Sequence, residues 1–141
     1  MSEANEMNEM NKRVIEEFRA NDGKVGGFFE NATLLLLHTT GAKSGQERIN
    51  PLMYIEDGGR YVIIASAGGA QNHPDWYYNV VADPEVGVEM GAESFQARAA
   101  VTEEPQRTEL YAAVSARYPN FIEYQENTDR VIPVITLQRQ A

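Results

Sequence analysis

The sequence predicts an α+β fold built on a small, barrel-like antiparallel sheet, and three observations lead there. Three strand-like apolar runs follow one another between Thr33 and Ser66 with only turns between them, which leaves no room for the crossover helices of a doubly wound parallel sheet. Helical periodicity is confined to the N-terminal segment and to insertions among the later strands. The chain has 141 residues, 43% of them hydrophobic, and no cysteine, so one ordinary domain buries its core without disulfide staples.

In chain order, Met7, Met10, Val14 and Phe18 recur at helical spacing and predict an amphipathic helix to about Arg19, stopped by Asn21-Asp22-Gly23. Its polar face mixes Glu with Lys and Arg, so packing on the body is expected ahead of weak contact with a membrane surface. Residues 1–10 are expected to be a frayed or disordered tail and 11–141 one domain. Gly23, Gly26 and Gly27 connect to Phe28-Phe29, and Thr33 to Thr39 is a strand whose Leu34 to Leu37 run is too short to span a membrane. Arg48 to Ile55 is a second strand, in which Pro51 marks an edge, a bulge or a ligand-facing position. Asp57-Gly58-Gly59 is a hairpin turn into a third strand, Arg60 to Ser66.

Asn72-His73-Pro74-Asp75-Trp76 reads as a helix start, with the helix running to Ala82 before Asp83-Pro84. Val86 to Met90 and Phe95 to Val101 form two strands across Gly91-Ala92-Glu93. Thr102 to Pro105 opens a helix with Leu110, Val114 and Tyr118 on one face, ended by Pro119. Phe121, Tyr124 and the polar Gln125 to Asp129 make a further segment before a sixth strand, Val131 to Leu137, where Pro133 suggests an edge or bulge.

Several chemistries are excluded. A formal net charge of −9 opposes binding to nucleic acid. Two histidines, His38 and His73, without His-Glu-x-x-His spacing, do not make a catalytic metal site. No Gly-x-Ser-x-Gly elbow is present, and Glu56-Asp57 and Glu103-Glu104 read as solvated charges and a helix N-terminus. Met1 to Asn11 is acidic and polar with no apolar signal region, so cytoplasmic residence is expected. What remains is Thr39 to Arg48, a glycine-punctuated loop carrying Lys43, Ser44 and Arg48. It joins strand to strand and places Lys43-Ser44 before Gly45, so it is no nucleotide P-loop. Two readings stay open for it: a polar hairpin, or a nest of backbone N–H groups and cations for an anion. Ser66 to Ala70, five small residues in a row, is either a mobile loop or a place where a flat ligand meets backbone. Together the two loops suit a planar cofactor with an anionic tail.

Val14 to Gly27, Thr39-Thr40-Gly41-Ala42-Lys43-Ser44-Gly45, Arg48-Ile49-Asn50-Pro51-Leu52, Ala65-Ser66-Ala67-Gly68-Gly69 and Asn72 to Asn79, in this order and spacing, resemble the deazaflavin-dependent nitroreductase family of actinobacteria. The resemblance runs from about Asn11 to the last strand. It implies a split β-barrel of the FMN-binding type that uses reduced coenzyme F-420, an 8-hydroxy-5-deazaflavin with a phosphate and oligoglutamate tail. By the same resemblance, Ala42, Lys43, Ser44 and Arg48 surround the tail. Ile49, Asn50, Pro51, Leu52 and Met53 run beside the ring. Ile64, Ala65, Ser66 and Ala67 approach its reactive face, and Asp75, Trp76, Tyr77, Tyr78 and Asn79 close another side. Tyr118 and Tyr124 flank Phe121 where family members commonly carry a tyrosine-rich substrate pocket, and Met53 stands where an aromatic can occur. A lone Trp at a helix start is more often core, which makes Trp76 the least secure of these contacts, and the trio Tyr118, Phe121 and Tyr124 reads equally as core aromatics.

The implied activity is hydride transfer from the reduced coenzyme to a quinone, nitroaromatic or activated alkene such as an enone, with Ser66, Tyr118 or Tyr124 hydrogen-bonding the acceptor oxygen. Phe121 and Met53 leave fewer hydroxyls for a nitro group, which argues against reduction of nitroimidazole prodrugs. The alternatives are an FMN-dependent split-barrel oxidoreductase and a noncatalytic carrier of deazaflavin or lipid.

Overall fold

A computed structural model of the chain describes residues 3–26 and 33–140. Helix α1 (Glu3–Ala20) precedes β1 (Leu34–Thr40), β2 (Glu47–Met53), β3 (Ile55–Asp57) and β4 (Arg60–Ile64). Then come α2 (Asp75–Ala82), β5 (Glu85–Met90), β6 (Glu93–Val101), α3 (Gln106–Arg117), α4 (Asn120–Glu126) and β7 (Val134–Arg139). All strand pairs are antiparallel, in the order β2-β1-β5-β6-β7-β4-β3. The two outermost strands are thus neighbours in sequence, separated by Tyr54 alone. One bent run, residues 47–57, pairs with β1 through its first part and with β4 through its last. The Tyr54 amide donates to the Thr33 carbonyl at 3.2 Å at the bend. This continuity curls the sheet into a half-barrel.

Two expectations are corrected here. The strand expected over Arg48 to Ile55 is broken at Tyr54, because a single strand that supplies both edges of a curled sheet must change direction; the sheet therefore has seven strands instead of six. The last strand begins at Val134, not Val131, so Pro133 lies before it and not inside it. Because β7 sits between β6 and β4, a proline within it would remove a ladder donor from the sheet interior; instead the Pro133 carbonyl accepts from the Ala65 amide at 3.0 Å. Pro51 does stand on an edge strand, opposite Leu36. Helix α1 starts at Glu3, ahead of Met7, and the segment after the expected second insertion forms a separate helix, α4. Phe28-Phe29 lies outside the described residues.

Strand alternation sorts the core. Leu35 and Leu37 join Ile63, Val86, Val88, Ala97, Ile135 and Leu137 inside the barrel, closed by Trp76 and Val80 of α2. Leu34 and Leu36 face the other way, under Phe18 and Val25, with Val14, Ile15, Ile49 and Met53 around them. Burial on both faces is why Leu34 to Leu37 is an unbroken apolar run. The third cluster sits under α3 and α4 and contains Val62, Ile64, Leu110, Val114, Tyr118, Phe121 and Ile132. Among the described residues, no helix is long and apolar enough to cross a membrane.

On the outer sheet face, Arg19 of α1 donates twice to the Glu89 carboxylate, at 3.0 and 2.7 Å, and His38 Nε2 lies 2.5 Å from the same group. The Arg19 guanidinium, helped by His38 and opposed by partial burial, holds the Glu89 carboxyl below its ordinary value of 4.5. The stability it contributes is present above the unfolded-state value and is lost as pH falls through the lowered folded one. Melting temperature is expected to drop as pH falls below the ordinary carboxyl value of 4.5, and Glu89→Gln flattens that part of the profile. An equal slope in both proteins would refute the assignment.

Candidate functional site

The loop after β1 is a tight hairpin closed by its own backbone. The Gly41 amide donates to the Gln46 carbonyl at 2.7 Å and the Gly45 amide to the Gly41 carbonyl at 2.9 Å, while the Ser44 hydroxyl accepts from the Gln46 amide at 3.2 Å. Gly45 has φ +69, a conformation that favours glycine, and a Cβ on Gly41 would lie 2.5 Å from Ser44 Oγ, so that hydroxyl would have to move. From α2, the buried Asn79 accepts the Ala42 amide at Oδ1 (2.9 Å) and donates from Nδ2 to the Thr39 hydroxyl (3.2 Å). Among the described residues, only the Lys43 and Ser44 amides of this hairpin's inner turn lack an internal partner. The donor nest is therefore smaller than the sequence suggests, at two amides and the Ser44 hydroxyl.

Asn79 works mainly as the tie between α2 and the loop. Asn79→Ala strands the buried Thr39 hydroxyl and the partly buried Ala42 amide without partners, and a loss of about 1–3 kcal/mol in urea unfolding is expected. A loss below a few tenths would show that the tie is dispensable.

The hairpin forms one wall of a groove of about 1220 Å³. Ala42, Lys43, Ser44, Arg48, Ile49, Asn50, Asp75, Trp76, Tyr78 and Asn79 all line it, which brings ten of the sequence-derived positions together. Helix α1 adds Asn11, Lys12 and Ile15, residues to which the sequence reading gave no place in the site, because α1 reaches the loop only through its packing on β1 and β2. Lys12, Lys43 and Arg48 are exposed and, among the described residues, none is in an ion pair. Glu47 and Asp75 are the acidic members of the lining. A second hollow of about 740 Å³, on the outer sheet face, holds Arg19, His38 and Glu89. Its charges already satisfy one another, so the groove with unspent donors is the better receptor for an anion.

The remaining positions fall elsewhere. Ile64 and Ala65 are buried, and Leu52 and Met53 pack against core clusters. Ser66, only 9% exposed, precedes a short 3-10 turn (Ala67–Gly69). Gly69, at φ +85, abuts α4 so closely that a Cβ would lie 2.8 Å from the Tyr124 carbonyl oxygen. Ser66 and Gly69 of the small-residue run are therefore packed in, while Ala67 and Ala70 stay exposed. Tyr77 stacks against His73 with ring centroids 4.5 Å apart. The Tyr118 hydroxyl accepts from the Thr33 amide at 2.9 Å and donates to the Tyr54 carbonyl at 3.4 Å. Tyr118, Phe121 and Tyr124 stack edge to face at 6.3 and 5.4 Å, with Met53 and Ile64 in the same cluster. The Tyr124 hydroxyl accepts from Asn120 Nδ2 at 3.0 Å.

Fold and site define a split-barrel protein with a cation-lined groove beside its sheet, suited to an anionic small molecule. The chain belongs to the F-420H(2)-dependent quinone reductase family, whose model matches residues 10–139. It is 38% identical over 127 residues to an F-420H(2)-dependent quinone reductase of Mycobacterium tuberculosis, covering 87% of this chain and 85% of the relative. An F-420-H2 dependent reductase of known structure aligns with a TM-score of 0.69 at 42% identity, over 74% of this chain and 93% of the other. Another solved structure, a domain-swapped dimer, aligns with a TM-score of 0.71 at 37% identity, over 97% of this chain and 100% of the other.

Proposed function

We propose that this chain, acting as one domain over residues 11–141 in the cytoplasm, reduces quinones at the expense of reduced coenzyme F-420, with the groove holding the coenzyme's anionic tail. The carrying observation is the donor set: Lys12, Lys43 and Arg48 without carboxylate partners among the described residues, beside the unpaired Lys43 and Ser44 amides, in a protein whose net charge is −9. Such a set fits phosphate and carboxylate groups and would be repelled by cationic ligands. Bound there, the reduced coenzyme supplies the hydride.

The chain's own groups bind and orient. Lys43 and Arg48 neutralise the tail, and Asn79 keeps their loop fixed against α2. The Tyr118 hydroxyl is spent on two backbone groups, so orientation of the acceptor oxygen falls to Ser66 and Tyr124. Neither hydroxyl is a strong acid near neutral pH; their contribution is positioning and stabilisation of developing negative charge. Nitroaromatics and enones are further acceptors on this reading, weakened by Phe121 and Met53.

Anaerobic mixing of the chain, reduced coenzyme and menadione tests the proposal. Fluorescence of the oxidised coenzyme should return faster than without protein. No acceleration with any of several quinones refutes it, and FMN binding more tightly than deazaflavin in a parallel titration transfers the groove to the other cofactor.

A further inference from the structure

We infer that Arg130 is a positioning residue of this reaction, which sets the Ser66 loop and the start of α2 relative to each other. The catalytic consequence rests on the reading above; the geometry stands apart from it. Arg130 Nη2 donates to the Ser66 carbonyl at 2.6 Å, Nε to the Ala70 carbonyl at 2.8 Å, and Nη1 to the Ala65 carbonyl at 3.2 Å and to His73 Nδ1 at 2.8 Å. One planar guanidinium thus grips three carbonyls and a ring across a nine-residue span.

Most other arginines spend their charge differently. Arg19, Arg60, Arg98, Arg107 and Arg139 each reach a carboxylate, whereas Arg130, among the described residues, reaches none. It is itself held: its amide donates to Thr128 Oγ1 at 3.3 Å, and its carbonyl accepts from Gln125 Nε2 at 2.8 Å. Thr128 Oγ1 in turn donates to Gln71 Oε1 at 3.0 Å, so the anchor and the gripped loop are tied twice.

Two consequences follow from elementary geometry. In a trans peptide the N–H points opposite its carbonyl, so binding the Ala65 and Ser66 carbonyls turns the Ser66 and Ala67 amides away from the guanidinium. Those two amides have no partner among the described residues, and a cation at the carbonyl end polarises both peptides into better donors. Arginine only donates, so His73 Nδ1 accepts and the ring proton resides on Nε2. Burial, with Arg130 adding to it, keeps His73 below its usual pKa, which favours this neutral form. His73 then stacks on Tyr77 and Tyr78, and Tyr78 lines the groove. Arg130 therefore connects the acceptor-side loop to the coenzyme groove.

The test uses native chain, Arg130→Ala and Arg130→Lys, each with two readouts. In the cofactor-free protein, ring 15N shifts should show His73 as the Nε2–H tautomer, changing to a mixture in both variants. With menadione, kcat should fall by about 10²-fold in both, as expected for a misplaced reacting centre, while coenzyme Kd, set by Lys43 and Arg48, changes little. Added guanidinium should restore part of kcat in Arg130→Ala. Native-like kcat in Arg130→Lys, or an Nδ1–H tautomer in the native chain, overturns the inference. If Arg130→Ala does not fold, Arg130→Lys decides by the same criteria. Absence of turnover in the native chain refutes the quinone-reductase reading, and the tautomer readout then decides whether Arg130 sets the loop.

Discussion

Coenzyme F-420 should bind roughly 10²-fold more weakly when Lys43 and Arg48 are both replaced by alanine. Each is exposed and, among the described residues, unpaired, so each contact with an anionic tail gains most of its charge without first breaking an internal ion pair. Charge-assisted hydrogen bonds contribute about 1.5–3 kcal/mol in favourable sites; exposure argues for the low end, and two contacts near 1.4 kcal/mol give the stated factor. The fold should be untouched, since neither side chain is part of a core cluster. Salt supplies an internal check: raising ionic strength should weaken binding to the native chain more than to the double variant. Fluorescence titration of the oxidised coenzyme measures both. Equal affinity in the two proteins would remove the loop from the site. Lys12→Ala should add a further loss, because Lys12 also lines the groove.

Gly69→Ala should cost roughly 2–5 kcal/mol of folding stability. Part of this is the left-handed backbone, at φ +85, worth about 1–2 kcal/mol for a residue with a Cβ. The rest is overpacking, for the new methyl would sit 2.8 Å from the Tyr124 carbonyl oxygen and 3.0 Å from its Cα. Backbone atoms of α4 cannot rotate away as a side-chain tip can, so the helix must shift. Gly58→Ala separates the two terms: Gly58 has φ +59 with nothing within 4 Å of an added Cβ, and it should lose only the conformational part. Urea unfolding of the pair measures the difference. Equal losses would show that the loop against α4 is loosely packed.

These two glycines illustrate what local sequence can reveal. Asp57-Gly58-Gly59 announces its turn because positive φ is a property of a few adjacent residues, and Gly58 and Gly59 do adopt it. A hairpin forces antiparallel order on its flanking strands, so the α+β class and the barrel-like sheet were readable from turns and alternation. Gly69 looks the same in sequence, yet its small size answers to Tyr124, a residue on a helix far along the chain. Neither reading of that loop, mobile or open to a flat ligand, included this contact: at Gly69 the missing bulk is filled by α4.

The site divides in the same way. The cations Lys43 and Arg48, the hydroxyl of Ser44 and the Asp75 to Asn79 helix start were visible as residue types in short spans, and the chain brings them into one groove. Lys12 was not visible, since a lysine on an amphipathic helix signals only a solvated face. Tyr118 was visible as an aromatic hydroxyl, but whether that hydroxyl is available depended on Thr33 and Tyr54, 85 and 64 residues away.

The order of turns, the antiparallel succession of the first strands, the glycine-punctuated cation loop as a hairpin and the family to which the chain belongs were legible in the sequence, because they depend on contacts between near neighbours or on motif order. Tertiary structure alone decided that residues 47–57 close both edges of the sheet, that Asn79 ties the loop, and that Arg130 grips Ser66 from 64 positions away. The physical reason is that hydrogen-bond partners are chosen by distance and direction in space, and only a folded sheet sets those for residues so far apart in the chain.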